Sequence, residues 1–288
     1  MSVERLPAPD LVVASSALVG EGPVFDRRTS FLCWVDINRG LLFESDLETG
    51  TTTHADVGVQ LGAAIPRADE PGFVVAVATG LGRWTGRLEL DEPILPEPHR
   101  RMNDAKCDSR GRLWAGSTHM SFEAGVGALH RWDGRSPSVV VRDGFVLPNG
   151  IGWTQADDRM YFVDSFANTL YAAPFDADDG ELGELVPVCK VEDGLPDGLA
   201  VDVDGCVWVA IWGASEVRRF DASGEVVAVV PMPVSQPSSC AFADDGTLYI
   251  TSASADLSDE QRAAQPHAGS VFAVATSTHG VPVHPFAA

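Results

Sequence analysis

Residues 108–115, Asp-Ser-Arg-Gly-Arg-Leu-Trp-Ala, and residues 202–210, Asp-Val-Asp-Gly-Cys-Val-Trp-Val-Ala, repeat one local design. In each, an Asp-x-x-Gly turn feeds a short run of alternating or continuous apolar residues that carries a tryptophan. This is the punctuation of a tight turn leading into a buried strand. Related strands lie outward along the chain at Phe31-Leu-Cys-Trp-Val35, Met160-Tyr-Phe-Val163 and, after Asp244-Asp-Gly246, Thr247-Leu-Tyr-Ile250. A second strand follows most of them, as in Gly127-Ala-Leu-His-Arg-Trp132, Thr169-Leu-Tyr-Ala172, Glu216-Val-Arg-Arg-Phe220 and Gly269-Ser-Val-Phe-Ala-Val274. No amphipathic helix alternates with these strands, which argues against a parallel α/β fold and for an all-β one.

If each unit begins where the chain enters its inner strand, the starts fall at Glu21, Gly62, Asn103, Asn149, Asp197 and Ser238, 41 to 48 residues apart. Units of this length built from four short antiparallel strands are propeller blades. The expectation is a six-bladed β-propeller of four-stranded antiparallel blades, with residues 1–288 forming one domain. The segment Leu11-Val-Val-Ala-Ser15 has no blade of its own. An open ring would expose sheet edges, so this N-terminal strand is predicted to close the ring as an outer strand of the last blade. The one predicted helix, Ser258 to Ala264, starts with a Ser-x-x-Gln cap.

Composition narrows the function. Forty-one Asp and Glu against 20 Lys and Arg give a formal net charge of -21, which repels nucleic acid and anionic membrane surfaces. The one basic cluster, His99-Arg100-Arg101, is short. No apolar run reaches the length of a membrane span, and Leu11 to Gly20 follows Glu4 and Asp10, which makes it a poor signal-peptide core. Cys33, Cys107, Cys189, Cys206 and Cys240 form an odd set without CxxC spacing, read as buried free thiols of a cytoplasmic protein. Trp34, Trp114, Trp153 and Trp208 are expected between blades, and Trp212, just after a strand, near the mouth of the axial site.

In a propeller, equivalent ends of the inner strands converge on the axis. Three of the six starts carry oxygen donors beside turn formers: Gly20-Glu21-Gly22-Pro23, Pro148-Asn149-Gly150 and Pro196-Asp197-Gly198. Asn-Gly and Asp-Gly are common turn dipeptides, so each motif by itself indicates only a turn. Their recurrence in register gives them weight, because Glu21, Asn149 and Asp197 together offer the oxygen set of a hard divalent cation. That set admits Ca²⁺, Mg²⁺ and Mn²⁺, and also Zn²⁺ or Fe²⁺.

These motifs, together with Arg101-Met-Asn-Asp104, Gly111-Arg-Leu-Trp-Ala-Gly116, Ser238-Ser-Cys-Ala-Phe242 and Ala264-Gln-Pro-His-Ala-Gly269, resemble the regucalcin/gluconolactonase family across almost the whole chain. The resemblance implies a metal held by Glu21, Asn149 and Asp197, substrate contacts from Arg101 and Asn103, and Asp197 as the base. It also implies an acidic substrate contact matched to Glu123, in a stretch that carries extra residues here. Asp104 is read as a supporting neighbour, and His119 as a surface residue. The implied activity is hydrolysis of a small lactone, with a sugar aldonolactone leading. The alternatives are an organophosphate hydrolase on the same metal and a non-enzymatic calcium-binding propeller.

Overall fold

The protein is described by a computed structural model covering residues 3–287. Six sheets form the blades of a propeller, and in each the chain runs outward from an inner strand. The inner strands are Gly20–Asp26, Leu61–Pro66, Arg100–Cys107, Pro148–Trp153, Leu195–Val201 and Pro237–Phe242. All six predicted starts lie on them. Among the described residues the one helix is Asp259–Ala264, with Ser258 as N-cap and Gln261 completing a capping box.

The opening motif has a physical explanation. Asp108 accepts from the backbone N–H of Arg110 and Arg112, and its Oδ2 accepts from the Trp114 indole at 2.9 Å. Asp202 does the same with the N–H of Asp204 and Cys206 and the Trp208 indole at 2.9 Å. Both carboxylates are fully buried, and each is also paired with an arginine, Arg112 or Arg219. One side chain thus closes the turn and fixes the tryptophan that fills the neighbouring gap.

The core is divided into six clusters, each lying mainly between two adjacent blades. Trp34 packs between the last and first blades, Trp114 and Trp153 between the third and fourth, and Trp208 between the fifth and sixth. No blade buries its faces alone, so stability belongs to the closed ring. Of the cysteines, all free, Cys33, Cys107 and Cys240 are buried, whereas Cys189 and Cys206 are only half-buried, because they sit on an outer strand and beside a turn.

Closure follows the sequence expectation with a small shift. Asp10–Val13 pairs antiparallel with Val271–Ala275 of the last blade, one residue earlier than predicted and ending before Ser15. Two further ties were not visible in the sequence. Glu4–Arg5 adds a parallel strand to Val226–Pro231 of the fifth blade. The C-terminal tail then crosses the ring, bonded to Val201 through Val281 N–H and to Pro66 and Gly111 through the N–H of Phe286 and Ala287. Phe286 is 1% exposed and stacks on Trp132 at 5.3 Å.

Two stability predictions follow from these ties. Phe286→Ala should cost about 3–5 kcal/mol, the usual range for a buried phenylalanine truncated to alanine, measured by urea unfolding. Deleting residues through Val13 should lower the thermal midpoint by freeing the edge of Val271–Ala275; an unchanged midpoint would count against this closure.

Candidate functional site

The inner strands are not regular where the predicted residues sit. In every blade the pairing of inner strand with second strand shifts at this point, between Glu21 and Val24, Leu61 and Ala63, Met102 and Ala105, Pro148 and Ile151, Pro196 and Leu199, and Pro237 and Ser239. Bulges of this kind take residues out of the ladder and re-aim their side chains. Asn103, Asn149 and Asp197 all lie inside these shifts, and Glu21 borders one.

The glycines of Pro-Asn-Gly and Pro-Asp-Gly are therefore not turn residues. A Cβ on Gly150 would meet the Asp197 carbonyl at 2.7 Å, and one on Gly198 would meet Ser239 Oγ at 2.0 Å. Glycine follows Asn149 and Asp197 because the next inner strand approaches too closely for a side chain.

The result is a cavity of about 330 Å³ on the axis, lined by Glu21, Arg101, Asn103, Asn149 and Asp197. Asn149 Nδ2 donates to Asp197 Oδ1 and to Ser165 Oγ, while its Oδ1 accepts from Asn103 Nδ2 at 3.1 Å. Asn103 also donates to the Pro148 carbonyl at 2.9 Å, and its Oδ1 accepts from Arg101 Nη1 at 2.5 Å. Glu21 Oε2 accepts from Gly22 N–H at 2.7 Å. Beyond its Nη1 contacts to Asn103 and the Met102 carbonyl, the Arg101 guanidinium has no acceptor among the described residues.

Electrostatics marks the site as well. Burial, reinforced by the Asp104 charge, pushes the Glu21 carboxyl up to about 8. Burial, then the charges of Glu21 and Asp104, holds Asp197 well above the ordinary carboxylate range, with Arg101 opposing. Asp104 is raised by burial, and Arg101 is pushed down to about 10 by burial against the pull of Asp197 and Glu21. Lys106, bonded to the Leu199 carbonyl at 2.8 Å, is lowered by burial too. Three buried carboxylates, Glu21 and Asp197 in the cavity and Asp104 behind it, thus act on two buried cations, Arg101 and Lys106, an imbalance that a bound cation would relieve.

Among the described residues no group of three or more His, Cys, Asp or Glu side chains could by itself hold a metal ion. A metal here would need the Asn149 amide beside the Glu21 and Asp197 carboxylates. No thiolate or imidazole lines the cavity. Such an oxygen-only set fits a hard divalent cation.

Glu123 is exposed and does not line the cavity, whereas its neighbour Phe122 does. His119 is bonded to Ser121 and also stands outside the lining. Trp212 reaches the cavity as expected. The sequence reading did not include Asp36 and Asp164, which lie across the ladder from Gly20 and Pro148. Asp36 accepts from the N–H of Leu18 and Val19, and Asp164 from the N–H of Val146 and Leu147. They hold the segments that deliver Glu21 and Asn149. Their shared ending, Trp34-Val-Asp36 and Phe162-Val-Asp164, was the available signal.

With this geometry in place, comparison with known proteins is informative. Residues 19–254 match the SMP-30/Gluconolactonase/LRE-like region. The chain belongs to this family. It is 31% identical over 278 residues to the 6-deoxy-6-sulfogluconolactonase of Pseudomonas putida, covering 93% of this chain and 95% of that protein. It is 32% identical over 286 residues to the L-arabinolactonase of Azospirillum brasilense, covering 93% and 92%. The crystal structure of regucalcin from Agrobacterium tumefaciens, a calcium-binding protein, superposes with a TM-score of 0.92 at 27% identity over 99% of each chain.

Asp164→Ala leaves the N–H groups of Val146 and Leu147 without their acceptor. An unsatisfied buried donor costs about 1–3 kcal/mol, so the substitution should lower stability by about that amount or more, read by urea titration. A change within error would remove Asp164 from this role.

Proposed function

We propose that the protein is a metal-dependent lactonase that opens a small lactone, with a sugar aldonolactone as the leading substrate, to its hydroxy acid. The observation that carries this reading is the meeting, in one axial cavity, of Glu21, Asn149 and Asp197 with the free guanidinium edge of Arg101. The names of the relatives support the same class of reaction.

Glu21, Asn149 and Asp197 would hold one divalent cation; Ca²⁺, Mg²⁺ and Mn²⁺ suit the oxygen donors best, and Zn²⁺ or Fe²⁺ also enter such sets. When bound, the cation supplies polarisation of the lactone carbonyl and offsets charge that develops on its oxygen. Asp197, the carboxylate beside Asn149 at the cavity floor, takes the proton of the attacking water. The water oxygen bonds to the carbonyl carbon, the ring C–O bond breaks, and the proton passes to the departing ring oxygen. Arg101 binds substrate oxygens through its unused hydrogens. Asn103, anchored to Arg101, Asn149 and the Pro148 carbonyl, fixes where those hydrogens point.

Metal-stripped protein reconstituted with each cation and assayed on a lactone panel tests the reading. Turnover should require metal, and Glu21→Gln should weaken cation binding by calorimetry with an unchanged circular dichroism spectrum. Asp197→Asn keeps one ligand oxygen but removes the base. Its kcat should fall on the order of 10²-fold or more at saturating metal, the usual scale for general-base catalysis. Arg101→Ala should act mainly through KM. Near-wild-type kcat in Asp197→Asn would mean that Asp197 is not the base.

A further inference from the structure

One part of the cavity wall is aromatic. On the side of the third and fourth blades stand Phe122 and Phe166, their ring centroids 4.8 Å apart and their planes tilted by 36°. Both rings line the same cavity as Glu21, Asn149 and Asp197, yet they are 40% and 44% exposed. Leu147 continues this wall. Across the ring, after the second strands of the first and sixth blades, the lining is mixed, with Asn38 and Asp256 beside Ile37 and Ala255.

One member of the phenyl pair, Phe122, is held in place by an unfavourable backbone. Phe122 has a φ of 55°, a left-handed conformation that bulky L residues avoid. The loop is pinned there by Phe122 N–H donating to the His119 carbonyl at 2.8 Å. Backbone strain of this kind persists where the surrounding structure imposes it, and it clusters at ligand-binding sites. Two large apolar rings left open to water beside a polar floor form a surface that a ligand would cover with apolar groups of its own.

We propose that Phe122 and Phe166 are specificity-determining residues that select lactones bearing a hydrocarbon substituent at the end of the molecule away from the carbonyl. This rests on the lactonase reading and narrows its substrate class. In this binding mode the lactone carbonyl sits at the Asp197 floor, its exocyclic carbon lies against the two phenyl rings, and its ring hydroxyls are left to the polar lining residues Arg101, Asn38 and Asp256. A methyl or longer alkyl group there is buried against apolar surface. A hydroxyl in the same place loses water and gains no partner from a phenyl ring.

A matched pair of substrates tests this: a pentono-1,4-lactone and its 5-deoxy counterpart, which differ by one exocyclic hydroxyl, assayed at saturating metal. The wild-type protein should favour the 5-deoxy lactone by about 10-fold in kcat/KM, the scale of a small apolar group in a fitted pocket. Phe166→Ser, and Phe122→Asn, which tolerates the left-handed backbone, should each remove most of that preference. They should do so by raising KM for the deoxy lactone while kcat stays the same, and Phe166→Leu should restore it. Turnover of both lactones without preference, or with a preference that survives both polar substitutions, overturns this inference and leaves the lactonase reading standing. Turnover of neither lactone, nor of any member of the wider panel, overturns both.

Discussion

The structure depends on how closely six inner strands can approach one axis. Regular pairing would turn alternate side chains of each strand along the sheet face, and six such strands would crowd the centre with whatever the alternation put there. The chain avoids this with a register shift at the same level in every blade. In the third, fourth and fifth blades the shift turns Asn103, Asn149 and Asp197 toward the channel, and in the first it borders Glu21. It also brings successive strands so close that Gly150 and Gly198 cannot carry a Cβ. Packing of the ring and placement of the cavity-lining side chains are thus one event.

That arrangement gathers Glu21, Asp104 and Asp197, each at most 7% exposed, around Arg101 and Lys106. Such a cluster costs folding energy unless its charges are balanced. The raised carboxyls and lowered Arg101 show the same tension from both signs. The hydrogen-bond chain from Arg101 through Asn103 and Asn149 to Asp197 links residues of three blades. A displacement of any of these three blades would therefore break the hydrogen-bond chain along the cavity wall.

Closure is distributed. The N-terminal segment ties the last blade and the fifth, and the C-terminal tail ties the fifth to the second and third across the opposite face. These ties leave the mouth of the axial cavity free, so the loops around it can vary without loosening the ring. Phe122 and Phe166 sit in such loops.

The sequence by itself determined the blades, because turn chemistry and strand alternation are local and repeat along the chain. It also determined the closing strand near Asp10–Val13, whose apolar pattern lacks a blade of its own, and the capped helix at Asp259. The convergence of Glu21, Arg101, Asn103, Asn149 and Asp197 was legible because repetition in register maps sequence position onto a ring. Four other features came only from the tertiary structure. Glu4–Arg5 is too short to show a period, and the tail that buries Phe286 gains its partners from three blades far away in sequence, at Pro66, Gly111 and Val201. The anchoring by Asp36 and Asp164 depends on which N–H groups a neighbouring loop presents. The exposure of Glu123 and the inward placement of Phe122 were set by a left-handed backbone at Phe122, a conformation imposed by the surrounding loop and not encoded by the residue itself.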